Sequence, residues 1–189
     1  MIWAYAVEQA AAIRERRVSA YELMERYLDR IEPWDQTLRS YVTVDTDGAL
    51  AAARTADARV LSAERESLPP FHDVALSVKD VVDVAGMATT HSSRALVNNV
   101  AALDDGVVER HREAGFIVLG KTNVPEFCTS TTSSDLNGIC RNPWDLERTP
   151  GGSRGGQRRL FRQVSALCPT VPMVPVRYVY LRHFAGWWD

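Results

Sequence analysis

The sequence predicts an α/β fold, in which strands and helices alternate to form packed layers. Three observations predict it: an amphipathic helical pattern before residue 33, a short apolar run at residues 74–78, and a second one at residues 117–119 that follows a helical segment. A strand, a helix and a strand in this order are typical of α/β layers. The 189 residues amount to about one domain.

The helices are predicted from apolar spacing and from their caps. Residues 1–17 indicate an amphipathic helix and not a signal peptide, because no basic stretch precedes an apolar one. Ser19 and Glu22 have capping-box spacing, and the helix behind them is expected to end at Pro33. The alanine-rich residues 46–64 predict the next helix.

The two apolar runs are predicted to be strands. Residues 74–78 are short and apolar, as expected of a buried strand. Asp104 or Asp105 can cap a following helix, which Gly115 stops before the strand at residues 117–119.

Composition limits the partners and the cofactors. The net charge is −2, so no strong field favours nucleic acid or an anionic membrane, and no apolar segment approaches the ~18 residues of a membrane span. Three cysteines without metal-ligand spacing predict a reduced, cytoplasmic protein. The four histidines are scattered, so we expect no metal and no cofactor, and the oligomeric state stays open.

Two segments carry residue types that could do chemistry. Lys79 and Asp80 follow the apolar run, and a lysine beside buried apolar surface can lose its proton and act as a base. The alternative is a solvated strand end. Residues 149–156 place four glycines around Ser153, which suits an anion or oxyanion cradle. The alternative there is a flexible turn.

Both segments lie within a longer resemblance to the amidase-signature family. It covers most of residues 5–156 and is carried by SVKDVVDVAGMATTHSS (77–93), EAGFIVLGKTNVPEF (113–127) and RNPWDLERTPGGS (141–153). The segment SAYELMERYLDRIE (19–32) is also similar to that family's N-terminus. The resemblance implies a large mixed β-sheet flanked by helices, of which this chain is expected to supply a truncated N-terminal portion.

The resemblance also implies hydrolysis of the carbon–nitrogen bond of a small-molecule amide by a Ser–cis-Ser–Lys triad. Lys79 matches the family's lysine, which acts as a base in its neutral form. Ser153 matches the bridging serine, whose peptide bond is cis and which relays the proton. Thr129 matches a position that lines the substrate pocket. A second serine, in a TDxGGS-type segment further on, is the nucleophile, and backbone amides beside it form the oxyanion hole.

The chain departs from the family pattern in three places. Residues 73–75 are Asp-Val-Ala where the family usually has Gly-Val-Pro, and Arg154 stands where the family has a second serine after Ser153. No TDxGGS-type segment follows, and no serine occurs after Ser165. We therefore expect the chain as written to lack its nucleophile and to be catalytically incomplete.

The composition changes near residue 157. We predict a partial amidase-signature domain at residues 1–156 and an out-of-frame, poorly structured tail at residues 157–189, which holds five arginines, no lysine and one acid. Alternatives are a basic-aromatic tail for nucleic acid or membrane, and an unstructured tail.

A lost nucleotide near codons 153–154 accounts for both the tail and the missing serine. When the third base of each codon is read with the first two of the next, residues 173–174 must give glycine, residues 187–188 valine and residues 188–189 glycine. Permitted codon choices then yield TDGAGS, with its serine at residues 176–177, about two dozen residues beyond Ser153.

Three functions therefore stay open: a general amidase, an A subunit of glutamyl-tRNA amidotransferase, and a non-enzymatic pseudogene product. Residues 124–127 (VPEF) resemble general amidases more than that subunit. The shifted frame favours the non-enzymatic product for this polypeptide and the amidase for its lineage.

Overall fold

The protein is seen in a computed structural model that describes residues 2, 4–64, 67–129, 133–148 and 150. Ser153 and the predicted tail at residues 157–189 lie outside the described residues, so the domain boundary after residue 156 stays a prediction. Within the described residues, helices pack on both faces of a small mixed sheet, which confirms the α/β class.

Three strands form the main sheet: β1 (Tyr41–Val44), β2 (Ala75–Lys79) and β3 (Ile117–Thr122). β3 is central in this sheet, with β2 parallel on one side and β1 antiparallel on the other. A hairpin pairs β4 (Ser133–Ser134) with β5 (Gly138–Ile139). The two predicted strands are thus confirmed, and the structure shows that they are neighbours in the sheet, whereas β1 was not predicted.

Four α-helices occur among the described residues: α1 (Ala6–Arg14), α2 (Ala20–Leu38), α3 (Thr46–Ser62) and α4 (Gly106–Glu113). The predicted aspartate cap of α4 is Asp105, whose carboxylate accepts the Val107 N–H at 3.3 Å. Gly115 follows α4 with a φ of +99°, a conformation that glycine adopts without strain. These caps fix where the helices start and stop along the chain.

α2 differs from its prediction at both ends. Ser19 Oγ accepts the Glu22 N–H at 2.9 Å, but the Glu22 carboxylate accepts from Arg26. The expectation that Pro33 ends the helix was wrong, because the helix continues to Leu38. Pro33 is exposed, so water can satisfy the carbonyl that the missing N–H leaves free. Leu38 is buried, which stabilises the last turn beyond the proline.

The main sheet separates two apolar clusters, because alternate side chains point to opposite faces. On one face, Ala75 and Ile117 pack with the buried sides of α2 and α3. On the other face, Leu76 and Val118 pack with Val108 of α4. The helices therefore cover both faces of the strands that carry the candidate site.

A buried histidine–aspartate pair precedes β2, at the opposite end of the strand from Lys79. His72 Nε2 lies 2.5 Å from Asp73 Oδ2, and both side chains are more than nine-tenths buried. Burial raises the pKa of Asp73, and His72 and Arg59 partly offset this while Asp57 adds to it. The backbone of Asp73 also lies in the left-handed region, at a φ of +65°.

The raised pKa of Asp73 predicts that the free energy of unfolding depends on pH. Its folded-state pKa lies above the ordinary value of 3.8, so the protonated acid favours folding. That contribution is fully present below the unfolded pKa and is lost as the pH rises through the folded pKa. The difference in unfolding free energy between the natural chain and Asp73→Asn, measured in urea from pH 3 to pH 7, should therefore fall with rising pH. The exposed Asp29→Asn is the control, and parallel pH curves for Asp73→Asn and the natural chain would contradict the prediction.

Candidate active site

Lys79 is the last residue of β2, at the carboxyl end of the parallel strand pair. It pairs with Thr122, the last residue of β3, and its side chain is half-buried. Ligands of open α/β sheets bind at the carboxyl ends of strands, so this position suits a residue that meets a substrate. The structure therefore places the predicted base at the end of the sheet where a site is expected.

Asp80, the next residue, organises the loop that follows β2. Its side chain is fully buried, and its carboxylate accepts the N–H groups of Thr90 at 3.0 Å and Ser92 at 3.3 Å. The Thr90 hydroxyl also donates to it. Asp80 is therefore not part of a solvated strand end. The sequence did not indicate that its carboxylate binds the following loop.

Two loops meet beside Asp80. The Asp80 carbonyl accepts the His91 N–H at 3.0 Å, and the His91 carbonyl accepts the Phe127 N–H at 3.0 Å. Ser92 Oγ donates to the Val124 carbonyl at 2.5 Å. These bonds connect the loop after β2 to the loop after β3, so that both loops are fixed at one end of the sheet.

Both loops contain pairs of non-glycine residues with left-handed backbone. His91 and Ser92 have φ values of +50° and +55°, and Phe127 and Cys128 have +49° and +59°. Each such residue costs roughly 1–2 kcal/mol, a strain that persists only where the surroundings enforce it and that often marks functional sites. The cross-loop hydrogen bonds supply that enforcement here.

Of the other two predicted site residues, the structure describes Thr129 but not Ser153. Thr129 ends the short 3₁₀ turn at Glu126–Cys128, and its hydroxyl donates to the Glu126 carbonyl at 2.8 Å. It therefore belongs to the loop that is bonded to His91, but its role in the substrate pocket stays a prediction. Ser153 lies outside the described residues, so its placement relative to Lys79 also stays a prediction.

Lys121 on β3 is a residue that the sequence interpretation missed. It is fully buried, and its Nζ donates to the Val82 carbonyl at 2.6 Å and to Thr89 Oγ1 at 2.8 Å. Burial lowers the pKa of Lys121, and the carboxylates of Asp80 and Asp83 offset part of that effect. The rarity of lysine in the sequence could have drawn attention to Lys121, because Lys79 and Lys121 are the only lysines in the chain.

No group of three or more histidine, cysteine, aspartate or glutamate side chains in the described part of the chain could hold a metal ion. No helix among those same residues is long and apolar enough to cross a membrane. The chemistry that the described residues offer is that of an amine at a strand end, next in sequence to a buried carboxylate that binds the following loop.

The fold and this site define an α/β protein with a lysine at the carboxyl end of a parallel strand pair. The amidase family matches residues 22–181, which is most of the chain. The chain belongs to the amidase-signature family. The match extends past the predicted domain boundary at residue 156.

Several curated relatives are A subunits of glutamyl-tRNA(Gln) amidotransferase. The one from Acidothermus cellulolyticus is 47% identical over 152 residues, which are 80% of this chain and 30% of the relative. The one from Aromatoleum aromaticum is 43% identical over 157 residues, 82% of this chain and 31% of the relative. The chain thus spans about a third of the length of these relatives.

Solved structures with the same fold include amide hydrolases. The peptide amidase of Stenotrophomonas maltophilia has a TM-score of 0.78 at 29% identity, over 86% of this chain and 34% of its own. A 6-aminohexanoate cyclic dimer hydrolase has a TM-score of 0.77 at 30% identity, over 89% of this chain and 33% of its own. These matches confirm the expected fold, of which this chain covers about a third in each of these structures.

Proposed function

We propose that this chain carries the lysine side of a site that hydrolyses carbon–nitrogen amide bonds. The observation that carries the proposal is the position of Lys79, at the carboxyl end of β2 beside the buried Asp80 network. Membership of the amidase-signature family supports it, as do the amide hydrolases among the similar structures.

In the proposed mechanism, the neutral amine of Lys79 is the base. It takes a proton from Ser153, whose hydroxyl takes one in turn from a second serine. That serine attacks the amide carbonyl, and backbone amides stabilise the oxyanion that forms. The proton then returns through the same relay to the leaving amine as the C–N bond breaks. Water, deprotonated through the same relay, hydrolyses the acyl-serine ester that remains and restores the serine. Thr129 lines the pocket in this proposal.

The second serine is proposed to be encoded one frame over, at residues 176–177, so that the chain as written does not turn over. A direct test compares this 189-residue chain with the product of the gene in which one nucleotide is restored at codons 153–154. Ammonia or amine release is expected only from the restored product. Turnover by the 189-residue chain that disappears in Lys79→Ala would overturn the frameshift proposal, as would an intact single frame in the gene.

The identity of the amide has two candidates. The 47% identity to an amidotransferase A subunit favours the side-chain amide of glutamine, with a tRNA-dependent partner. The similar peptide amidase and cyclic-dimer hydrolase favour a free small-molecule amide. Assaying the restored protein with glutamine, with a C-terminal peptide amide and with an aryl acylamide distinguishes them. Glutamine hydrolysis that needs added partner subunits supports the first, and partner-independent release from the other substrates supports the second.

The proposal includes a cytoplasmic location, and it excludes direct contact of this chain with nucleic acid or a membrane. The net charge of −2 supports that part of the proposal. Retention on heparin or on anionic vesicles at about 0.15 M salt would contradict it.

A further inference from the structure

The two lysines of this chain occupy neighbouring positions in the sheet. The other basic residues among the 22 lysines and arginines are all arginine. Lys79 ends β2, and Lys121 lies on β3 beside Val78 in the parallel register. Both lysines of the chain therefore lie near the carboxyl end of this strand pair.

At position 121 an arginine could not do what the lysine does. The site is fully buried, and its two acceptors, the Val82 carbonyl and Thr89 Oγ1, receive bonds of 2.6 Å and 2.8 Å from a single nitrogen. A guanidinium is larger, holds five N–H donors in a fixed plane and stays charged. An apolar side chain would leave the carbonyl and the hydroxyl without this donor.

The contacts of Lys121 lead to the backbone of Lys79. The Val82 N–H donates to the Lys79 carbonyl at 3.1 Å, which closes the turn after β2, and Lys121 binds the carbonyl of the same Val82. Thr89, the second acceptor, directly precedes Thr90, which donates to Asp80. Lys121 therefore contacts both ends of the loop that the Asp80 carboxylate closes.

The strand register indicates that Lys121 does not act on Lys79 through direct contact between the two amines. Lys121 pairs with Val78 and Lys79 pairs with Thr122, and successive side chains of a strand point to opposite faces. The two lysine side chains thus leave opposite faces of the sheet, and Lys121 acts through the turn.

We propose that Lys121 is a positioning residue for Lys79: by binding the Val82 carbonyl and Thr89 Oγ1, it fixes the turn from which the Lys79 side chain projects. This inference rests on the proposed function in assigning a use to Lys79, but its test does not depend on turnover. A base must lie within hydrogen-bond distance of the proton that it removes, so the position of the Lys79 side chain at the strand end matters for catalysis.

The test uses the 189-residue chain labelled with ¹³C at lysine Cε, which has only two side-chain signals in an NMR spectrum. Lys79→Met and Lys121→Met assign them. In Lys121→Met, the Lys79 signal is expected to sharpen, and the midpoint of its pH titration to move by at least half a pH unit, because the turn loosens. Thr89→Val, which removes one acceptor and keeps both lysines, should move the same midpoint in the same direction by less.

Val74→Ala is the matched control, because it removes buried volume just before the other end of β2. It should lower the unfolding midpoint and leave the Lys79 titration unchanged. A folded Lys121→Met with the natural Lys79 titration overturns the proposal, as does a Val74→Ala shift equal to that of Lys121→Met. If Lys121→Met does not fold, Thr89→Val decides, and an unchanged Lys79 signal there overturns the proposal. Loss of positioning leaves the hydrolysis proposal standing, since amine release is measured separately.

Discussion

Replacing Lys79 with alanine in the frame-restored protein is expected to lower kcat for amide hydrolysis by roughly 10⁴-fold or more, because the proposed relay then has no base. Lys79→Arg should be equally inactive, since a guanidinium stays protonated and cannot accept the proton. The measurement is steady-state release of ammonia or amine at several pH values.

Added methylamine should restore part of the activity of Lys79→Ala, and none to Lys79→Arg, whose side chain fills the space. The exposed Arg26→Ala is a control for loss of a positive charge, because Arg26 forms a solvent-exposed ion pair with Glu22. Activity of Lys79→Arg within tenfold of the natural protein would rule out Lys79 as the base.

Replacing Asp80 with alanine is expected to cost about 3 kcal/mol or more of unfolding free energy. The change removes the acceptor of the buried Thr90 N–H and hydroxyl, and each such loss costs roughly 1–3 kcal/mol. The Ser92 N–H keeps only its bond of 3.0 Å to Thr90 Oγ1. Urea unfolding of the 189-residue chain measures it. Hydrogen exchange should quicken at the Thr90 and Ser92 amides before global unfolding.

Asp29→Ala provides the control for loss of a carboxylate, since Asp29 is exposed on α2. Its unfolding free energy should stay within about 0.5 kcal/mol of the natural chain, as is usual for surface substitutions. Equal losses for the two variants would mean that the Asp80 carboxylate does not stabilise the loop.

The sequence was informative about elements with strong local signals. The helix at residues 46–64 is alanine-rich, the helix before Gly115 has an aspartate cap, and β2 and β3 contain runs of apolar residues. β1 has only four residues, and it owes its strand conformation to pairing with β3, which lies far along the chain. Local propensity contains no information about such a pairing. It also led to the wrong expectation that Pro33 ends α2.

The position of Lys79 at a strand end was predictable from the sequence. The contacts that other residues of the candidate site form in three dimensions were not. Lys79 follows from its place after an apolar strand and from the family resemblance. The networks of Asp80 and Lys121 depend on bonds across 10 to 39 residues, which neither spacing nor composition encodes. The left-handed pairs at His91 and Phe127 likewise arise from the contact between two loops.

The central position of β3 has a consequence for how the chain folds as it is synthesised. β1 and β2 both pair with β3, whose first residue is Ile117, so neither strand has its sheet partner while the first 116 residues emerge. At 5–20 residues per second, that interval lasts roughly 6–25 seconds on a ribosome. During it, helices α1–α3 can form locally, but the strand that bears Lys79 has no sheet partner, and its exposed apolar residues favour aggregation at this stage.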